Sequence, residues 1–282
     1  MRKQKNTVVQ ISKVANLTNY LVFRGIHLAA LAVVLTGMNW RSFAIAFTLY
    51  WGRMFVITAG YHRFFSHRAY KTSRLVQFII GFLGTTCIQK GPLWWASTHR
   101  RHHKYTDEPQ DVHSPRQRGW WYAHVGWLGN PENGNTDLRL IPDLVRFREL
   151  RWLDRYHWVA PLLTAFACFA IAGWQGVSAM AISTVLFWHA TFAINSVAHL
   201  YGSQPFPQTQ DDSHNWWFLA ILTMGEGWHN NHHFDQNSAR QGYRRWWEID
   251  LSYYLLSILA KTRIIWDLRQ PSPKTHEAVR QQ

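Results

Sequence analysis

The residues best able to do chemistry in this 282-residue chain are its 16 histidines, and they are unevenly placed. "HRFFSH" supplies His62 and His67, "HRRHH" supplies His99, His102 and His103, and "HNNHH" supplies His229, His232 and His233. Between the last two, "NSVAH" carries Asn195 and His199. On a helix, side chains three or four residues apart share a face. His99, His102 and His103 can therefore project together, as can His229, His232 and His233, and Asn195 lies one turn from His199. His62 and His67 diverge by about 140° on an ideal α-helix and converge only where the helix bends or stops. A lone histidine is usually a hydrogen-bonded structural residue. His27, His113, His157, His189, His214 and His276 are read that way, and His124 as either structural or a support behind the cluster. The nine clustered imidazoles exceed the four ligands of a structural zinc, so the set predicts two metal ions. Imidazole suits zinc, copper, iron and nickel. A zinc site would also call for cysteine, and Cys87 and Cys168 lie far from the boxes in apolar surroundings, where buried free thiols are expected. Two irons with open positions can activate dioxygen. Beside apolar segments, that chemistry points to an apolar substrate and oxidation of an unactivated C–H bond. No flavin, haem or iron–sulfur signature is evident, so the electrons come from outside.

Lys and Arg outnumber Asp and Glu by 30 to 16. Such an excess suits a nucleic-acid binder or a membrane protein with basic cytoplasmic loops. The distribution favours the second, because Tyr156 to Gln210 contains no charged residue. Four apolar segments are expected to span, at about Leu21–Met38, Phe43–Tyr61, His157–Trp174 and Val177–Ala198, each close to the roughly 20 residues a bilayer needs. "NWRS" joins the first pair and "GWQG" the second, giving two helical hairpins. Arg24 and Arg53 within the first pair must snorkel or face protein. Seventeen tryptophans and eleven tyrosines fit a large membrane–water boundary. A further apolar stretch, 75–89, is read as interfacial or protein-buried, since a fifth span would put the first box opposite the second. The N-terminal "MRKQKNTVVQ" is basic but lacks the apolar core and cleavage site of a secretory signal, and the tail after Asp267 is expected to fray. The predicted fold is an all-α integral membrane protein in one domain, 1–282. Four transmembrane helices in two hairpins carry a cytosolic helical cap, 62–156 and 199–270, that holds the histidine-rich site.

The ordered set "HRFFSH … HRRHH … NSVAHLYG … GEGWHNNHH", with "HVGW", resembles the membrane fatty-acid desaturases, in particular the Δ9 (stearoyl-CoA type) acyl desaturases. The resemblance runs from about Leu21 to Trp266, and "GPLWW" and "HNNHH…SARQG" are more similar to bacterial and plant members. It implies a di-iron centre, one iron held by His62, His67, His99, His103 and His232. The other would be held by His102, His199, His229 and His233, with Asn195 contacting it through a water. It also implies O2 as co-substrate, an acyl channel bent near Gln89, Trp95 and Thr191, and a multi-pass protein with its active site on the cytoplasmic side, in the plasma membrane of a bacterium. Where animal acyl-CoA desaturases carry head-group residues, this chain has Ser97, Thr98, Lys90 and Pro131, which leaves open a CoA-, lipid- or carrier-bound acyl substrate. The electron donor is then a separate ferredoxin or b-type cytochrome with its reductase. Asp211, Asp212 and the basic loops either dock it or form a solvated face. A membrane hydroxylase or alkene-forming oxidase is the chemical alternative. A metal transporter is remote, since 157–198 offers only His157 and His189 as ionisable groups. Basic residues flanking spans argue against nucleic-acid binding.

Overall fold

Residues 8–10 and 13–281 are described by the computed structural model; most of the basic N-terminal run lies outside them. Helix α1 (Lys13–Leu31) gives way at Ala32 to the short turn Val33–Thr36, and Gly37, at φ 66°, takes the chain round. That left-handed φ is open to glycine without steric cost. Asn39 then starts α2 (Trp40–Phe55) with a reciprocal capping box, its side chain accepting from the Ser42 amide and the Ser42 side chain accepting from the Asn39 amide. α2 runs on into a π-helix, Val56–Ser66, and Trp40–Ser66 is one rod of 27 residues, long and apolar enough to cross a membrane.

The second such rod is α5 (Val159–Ser196). It is not straight: Ala172 (φ −141°) and Gly173 (φ 58°) leave the helical region. A Cβ on Gly176 would strike the Cys168 carbonyl, although residues eight apart on a straight helix are about 12 Å from each other. The chain therefore reverses at "GWQG" and α5 is two antiparallel arms. Gln175 ties this reversal to the first one, donating to the Thr36 carbonyl at 2.8 Å and accepting from Asn39 Nδ2 at 2.5 Å. Both hairpin turns thus meet at one end of the molecule, and the histidine boxes gather at the other. Between the hairpins Arg53 does not snorkel. It is 2% exposed and donates to Thr184 Oγ1 at 2.7 Å.

Helix α3 (Arg74–Thr85), begun by Ser73 accepting from the Val76 amide, has only 12 residues, too few to span. Its Gly81 and Gly84 leave room for Phe65, Leu153 and the Tyr61 ring, while Leu75, Ile79 and Leu83 face outward. That is the one-sided helix expected of 75–89. Pro92 opens α4 (Pro92–Lys104), whose free N-terminal amides at Leu93 and Trp94 both donate to Asp154 Oδ1, at 3.1 and 3.0 Å. The main core joins these helices through Met54, Tyr61, Phe65, Trp94, Phe187 and Phe192. Two antiparallel pairs of two-residue strands tie distant ends together, β1 (Val8–Val9) with β3 (Thr136–Asp137) and β2 (Lys71–Thr72) with β4 (Ile265–Trp266). Cys87 and Cys168 are buried and free.

The C-terminal tail differs from the frayed end expected of it. The Arg269 amide donates to the Ala69 carbonyl, and Ser272 caps a helix, Pro273–Arg280. Asp235 Oδ2 accepts from the Ser272 amide at 2.8 Å and from Thr275 Oγ1 at 2.6 Å. A helix start stabilised by a carboxylate from elsewhere leaves no periodic signal in the tail itself.

Candidate metal centre

His62 and His67 meet because of the π-helix. Its wider turn bonds residue i to i+5, and the His67 amide donates to the His62 carbonyl at 3.2 Å. The two rings then stand 4.8 Å apart instead of on diverging faces. α4 carries His99, His102 and His103 inward on its last turns. Asn195 sits at the end of α5 with His199 just beyond, and α6 (His229–Phe234) supplies His229, His232 and His233.

The nine imidazoles converge as two adjacent groups. His62, His67, His99, His103 and His232 each offer one nitrogen to a common centre, and His102, His199, His229 and His233 do the same. Within every group these atoms lie within 4.8 Å of one another. Facing nitrogens are 3.1 Å apart for His62 and His232, 2.7 Å for His67 and His99, 2.9 Å for His103 and His232, and 3.0 Å for His199 and His229. About 3 Å is the edge of an octahedron of nitrogens bound at about 2.1 Å. His102 Nε2 and His233 Nε2 are buried with no hydrogen-bond partner in the protein, although buried polar atoms are normally paired. The donor set fits two transition-metal ions.

Behind the rings stand carboxylates that sequence reasoning missed. His62 Nδ1 meets Glu226 Oε2 at 2.5 Å, His102 Nδ1 meets Asp111 Oδ1 at 2.9 Å, His199 Nδ1 meets Asp107 Oδ2 at 3.3 Å and His233 Nδ1 meets Asp211 Oδ2 at 2.8 Å. Each contact fixes the tautomer so that Nε2 is the free ligand atom. Arg63 is paired with both Glu226 and Asp250; setting Arg63 against Asp250 leaves four negative charges, the number that balances two divalent ions. Burial opposes ionisation of Asp107, Asp111 and Asp211, yet their imidazole partners and backbone or hydroxyl donors hold all three below the usual carboxylate range. Glu226 is likewise held down, by His62 and Arg63 against burial. Burial keeps His67, His99, His103, His229 and His232 neutral far below their ordinary range and takes His233 to about 4. Neutral imidazole is the form that binds metal. His102 is the exception: burial opposes its protonation, but Asp111 overcomes it.

Asn195 lines a small cavity beside His102 and His229. The same cavity touches Gln89, Trp95 and Thr191, which form a polar chain: Trp95 Nε1 donates to Gln89 Oε1 at 3.1 Å and Gln89 Nε2 donates to Thr191 Oγ1 at 3.0 Å. Gln89, Trp94, Trp127 and Phe192 also line a second, mostly apolar cavity of about 720 Å³ that runs between α1 and the two arms of α5. Apolar space therefore adjoins the imidazoles through a polar collar. Of the remaining histidines, His157 lines the large cavity and His214 donates from Nδ1 to the Asp212 carbonyl. His113 packs its ring 4.5 Å from that of His102. Asp211 serves His233, and Asp212 pairs with Arg116. The missed Glu226 stands beside the third box in "GEGWH", but its partner His62 comes from another element, so spacing gave no signal for it. Asp107 and Asp111, in "HHKYTDEPQD", lie in a loop where no periodicity points them at a ring.

Comparison with known proteins agrees with this geometry. A family model described as fatty acid desaturase matches residues 38–260. Acyl-CoA 5-desaturase AL21 of Anemone leveillei is 36% identical over 96% of this chain and 85% of its own length. The sn-1 stearoyl-lipid 9-desaturase of Anabaena variabilis is 34% identical over 86% of this chain and 90% of its own. A hex-5-enoyl-[acyl-carrier protein] acetylenase of Moorena producens is 36% identical over 80% of this chain and 76% of its own. A match over most of the chain, across a range that includes all nine histidines, places this protein in the fatty acid desaturase family.

Proposed function

We propose that this chain is a multi-pass membrane desaturase that inserts a cis double bond at the Δ9 position of a saturated fatty acyl chain. The observation that carries the reading is the pair of imidazole groups, five and four strong, beside a small cavity that shares Gln89, Trp94, Trp127 and Phe192 with a larger apolar one. The metals are two irons, the first held by His62, His67, His99, His103 and His232. The second is held by His102, His199, His229 and His233, with Asn195 reaching it through a water. Iron supplies the dioxygen chemistry needed to break unactivated C–H bonds. The chain's own residues do the rest. Glu226, Asp107, Asp111 and Asp211 orient the rings, the apolar cavity desolvates the acyl chain, and Gln89, Trp95 and Thr191 set which carbons lie against the metals. Support for the four spans comes from the two reversals meeting at one end, with all boxes at the other; a basic cap then puts the site on the cytoplasmic side. In a bacterium this is the plasma membrane.

The acyl group arrives on CoA or within a lipid, and a separate ferredoxin or b-type cytochrome with its reductase supplies two electrons. Relatives named for the 5- and 9-positions make the bond position the first thing to measure. The test is expression in cells of defined lipid content, followed by mapping of new double bonds by mass spectrometry with the carrier identified. A new cis Δ9 alkene absent from cells carrying His229→Ala supports the reading. Hydroxylated chains or no acyl product would overturn it.

A further inference from the structure

The large cavity has a floor. One face of the second arm of α5 lines it through Val177, Ala181, Thr184, Trp188 and Phe192, at the three- and four-residue spacing of a single helix stripe. At the deep end Ala29 of α1, Ala165 of the first arm, Val177 and Met180 meet, and none of these side chains carries an N–H, an O–H or a charge. Among the described residues, neither reversal lines the cavity, so it closes short of the hairpin turns. The approach of Gly176 to the Cys168 carbonyl sets the two arms in register. Counting back along both arms puts Ala165 at the level of Ala179 and Met180. Lys90, Asn133 and His157 line the opposite end. An acyl chain therefore lies with its methyl end on the floor, where a polar head would find no partner.

The depth of that floor can be read from the helix. Thr191, in the polar collar beside the metal groups, lies on the same arm as Val177, 14 residues away. At 1.5 Å per residue the floor is about 21 Å from the collar at Val177 and about 16 Å at Met180. Carbon–carbon bonds of about 1.5 Å meeting at about 111° advance an extended chain by about 1.25 Å per carbon. The space beyond the collar thus holds about 13–17 carbons. An 18-carbon chain oxidised at its ninth and tenth carbons offers far fewer. The eight that remain reach about 10 Å, the level of Thr184. Thr184 is no polar barrier to a longer chain, since its hydroxyl accepts from Arg53 and donates to the Met180 carbonyl. Below it, apolar wall left uncovered would forfeit its packing contacts.

We propose that the substrate is a very long acyl chain, with about 13–17 carbons on the methyl side of the reacting pair. With the bond at Δ9 that is a chain of about 23–27 carbons. Ala29, Ala165, Val177 and Met180 set the length by forming the floor. The inference rests on the desaturase reading and names the length class of its substrate. Chains that end at Thr184 leave the floor uncovered, and chains longer than the cavity strike it before their reacting carbons come level with the collar. The best substrate is the one that fills the stripe.

The test supplies cells that express the protein with saturated fatty acids of graded length, from 16 to 28 carbons. Mass spectrometry then counts the carbons between each new double bond and the methyl end. Wild type is expected to favour products with 13–17 such carbons, and a preference for eight or fewer overturns the proposal. Val177→Phe raises the floor by about one helical turn, or about 5 Å, and Ala29→Phe narrows it from the opposite wall. In each, the ratio of 26-carbon to 22-carbon product is expected to fall about tenfold. A ratio unmoved in both variants overturns the role of the floor. Binding is read separately, on purified iron-loaded protein without reductant, from the thermal midpoint. The free 24-carbon fatty acid should raise the midpoint of wild type more than the 18-carbon one does, because tighter binding stabilises more. Equal stabilisation by the two overturns the proposal, whether or not the variants fold. Wild type that makes no unsaturated chain would strike the desaturase reading instead, and the midpoints would still decide which length the cavity holds.

Discussion

Asp111 offers the sharpest test of how the two metal groups are built. Its carboxylate accepts three bonds: Oδ1 from His102 Nδ1 at 2.9 Å and from the His113 amide at 3.3 Å, and Oδ2 from the Asp107 amide at 2.9 Å. Asp111→Asn keeps the volume and one accepting oxygen. The new NH2 must face either the Asp107 amide or His102 Nδ1, two donors that would then stand against a third. An unpaired buried donor costs about 1–3 kcal/mol. If the oxygen stays on the Asp107 amide, the NH2 faces both the His113 amide and His102, which loses its fixed tautomer. If it stays on His102, the ring is held by a neutral acceptor that raises its basicity less. Loss of such a support typically weakens metal binding about 10–100-fold, or ~1.4–2.7 kcal/mol. His102 belongs to the group of four, so the loss should fall on one ion. Anaerobic iron titration of the metal-free protein, followed by metal analysis, should show one site as in wild type and one weakened by that factor. Two unchanged sites, or two sites weakened alike in a protein of normal stability, would refute the separation of the nine imidazoles into independent centres.

Other expectations follow from the same geometry. His229→Ala should lose the second ion and all acyl product while still inserting in membranes, and metal content with product analysis checks it. Thr191→Val deletes the acceptor of Gln89 Nε2 at 3.0 Å, worth about 1 kcal/mol. It should broaden the distribution of double-bond positions several-fold, seen by gas chromatography of the products; an unchanged distribution would remove the polar collar from the role of register. Gly176→Ala pushes a methyl into the Cys168 carbonyl and should destabilise by about 1–3 kcal/mol, measured as a lower thermal midpoint. In the metal-free protein, burial holds His233 down to about 4 and His113 to about 3, against about 6.5 when unfolded. The unfolded chain therefore binds more protons, and stability should drop as pH falls from about 6.5 toward those values, by up to ~1.4 kcal/mol per group per pH unit. A thermal midpoint flat from pH 7 to 5 would contradict the burial of neutral rings.

The chemistry was more legible in the amino-acid sequence than the architecture that makes it possible. The boxes at 99–103 and 229–233 project inward as their three- and four-residue spacings require, because spacing on a helix is itself a geometric statement. The reversal at "GWQG" was legible for a similar reason, two glycines flanking Gln175 within a long apolar run. The pair His62 and His67 was legible only as a problem. Its solution is a π-helix, whose i→i+5 bonding has no compositional mark and is held by the surrounding packing, Gly60 against Ile80 and Gly84 against Tyr61. Asp107, Asp111 and Asp211 could not be assigned beforehand, since a loop carboxylate near a basic run is most often solvated. Their partners come from other elements, as Asp107 with His199 shows. The ordered tail belongs to the same class: the first turn of its helix is held by Asp235, a residue outside the tail.

The nine rings come from four stretches of the chain, and His62 and His232, facing each other across one centre, are separated by 170 positions. No fragment that emerges early in synthesis can hold an ion as the finished chain does. Either complete ligand set forms only after residues from both halves of the chain have come together. A truncated copy, lacking part of each ligand set, would therefore stay metal-poor, so that metal content reports on completion of the fold.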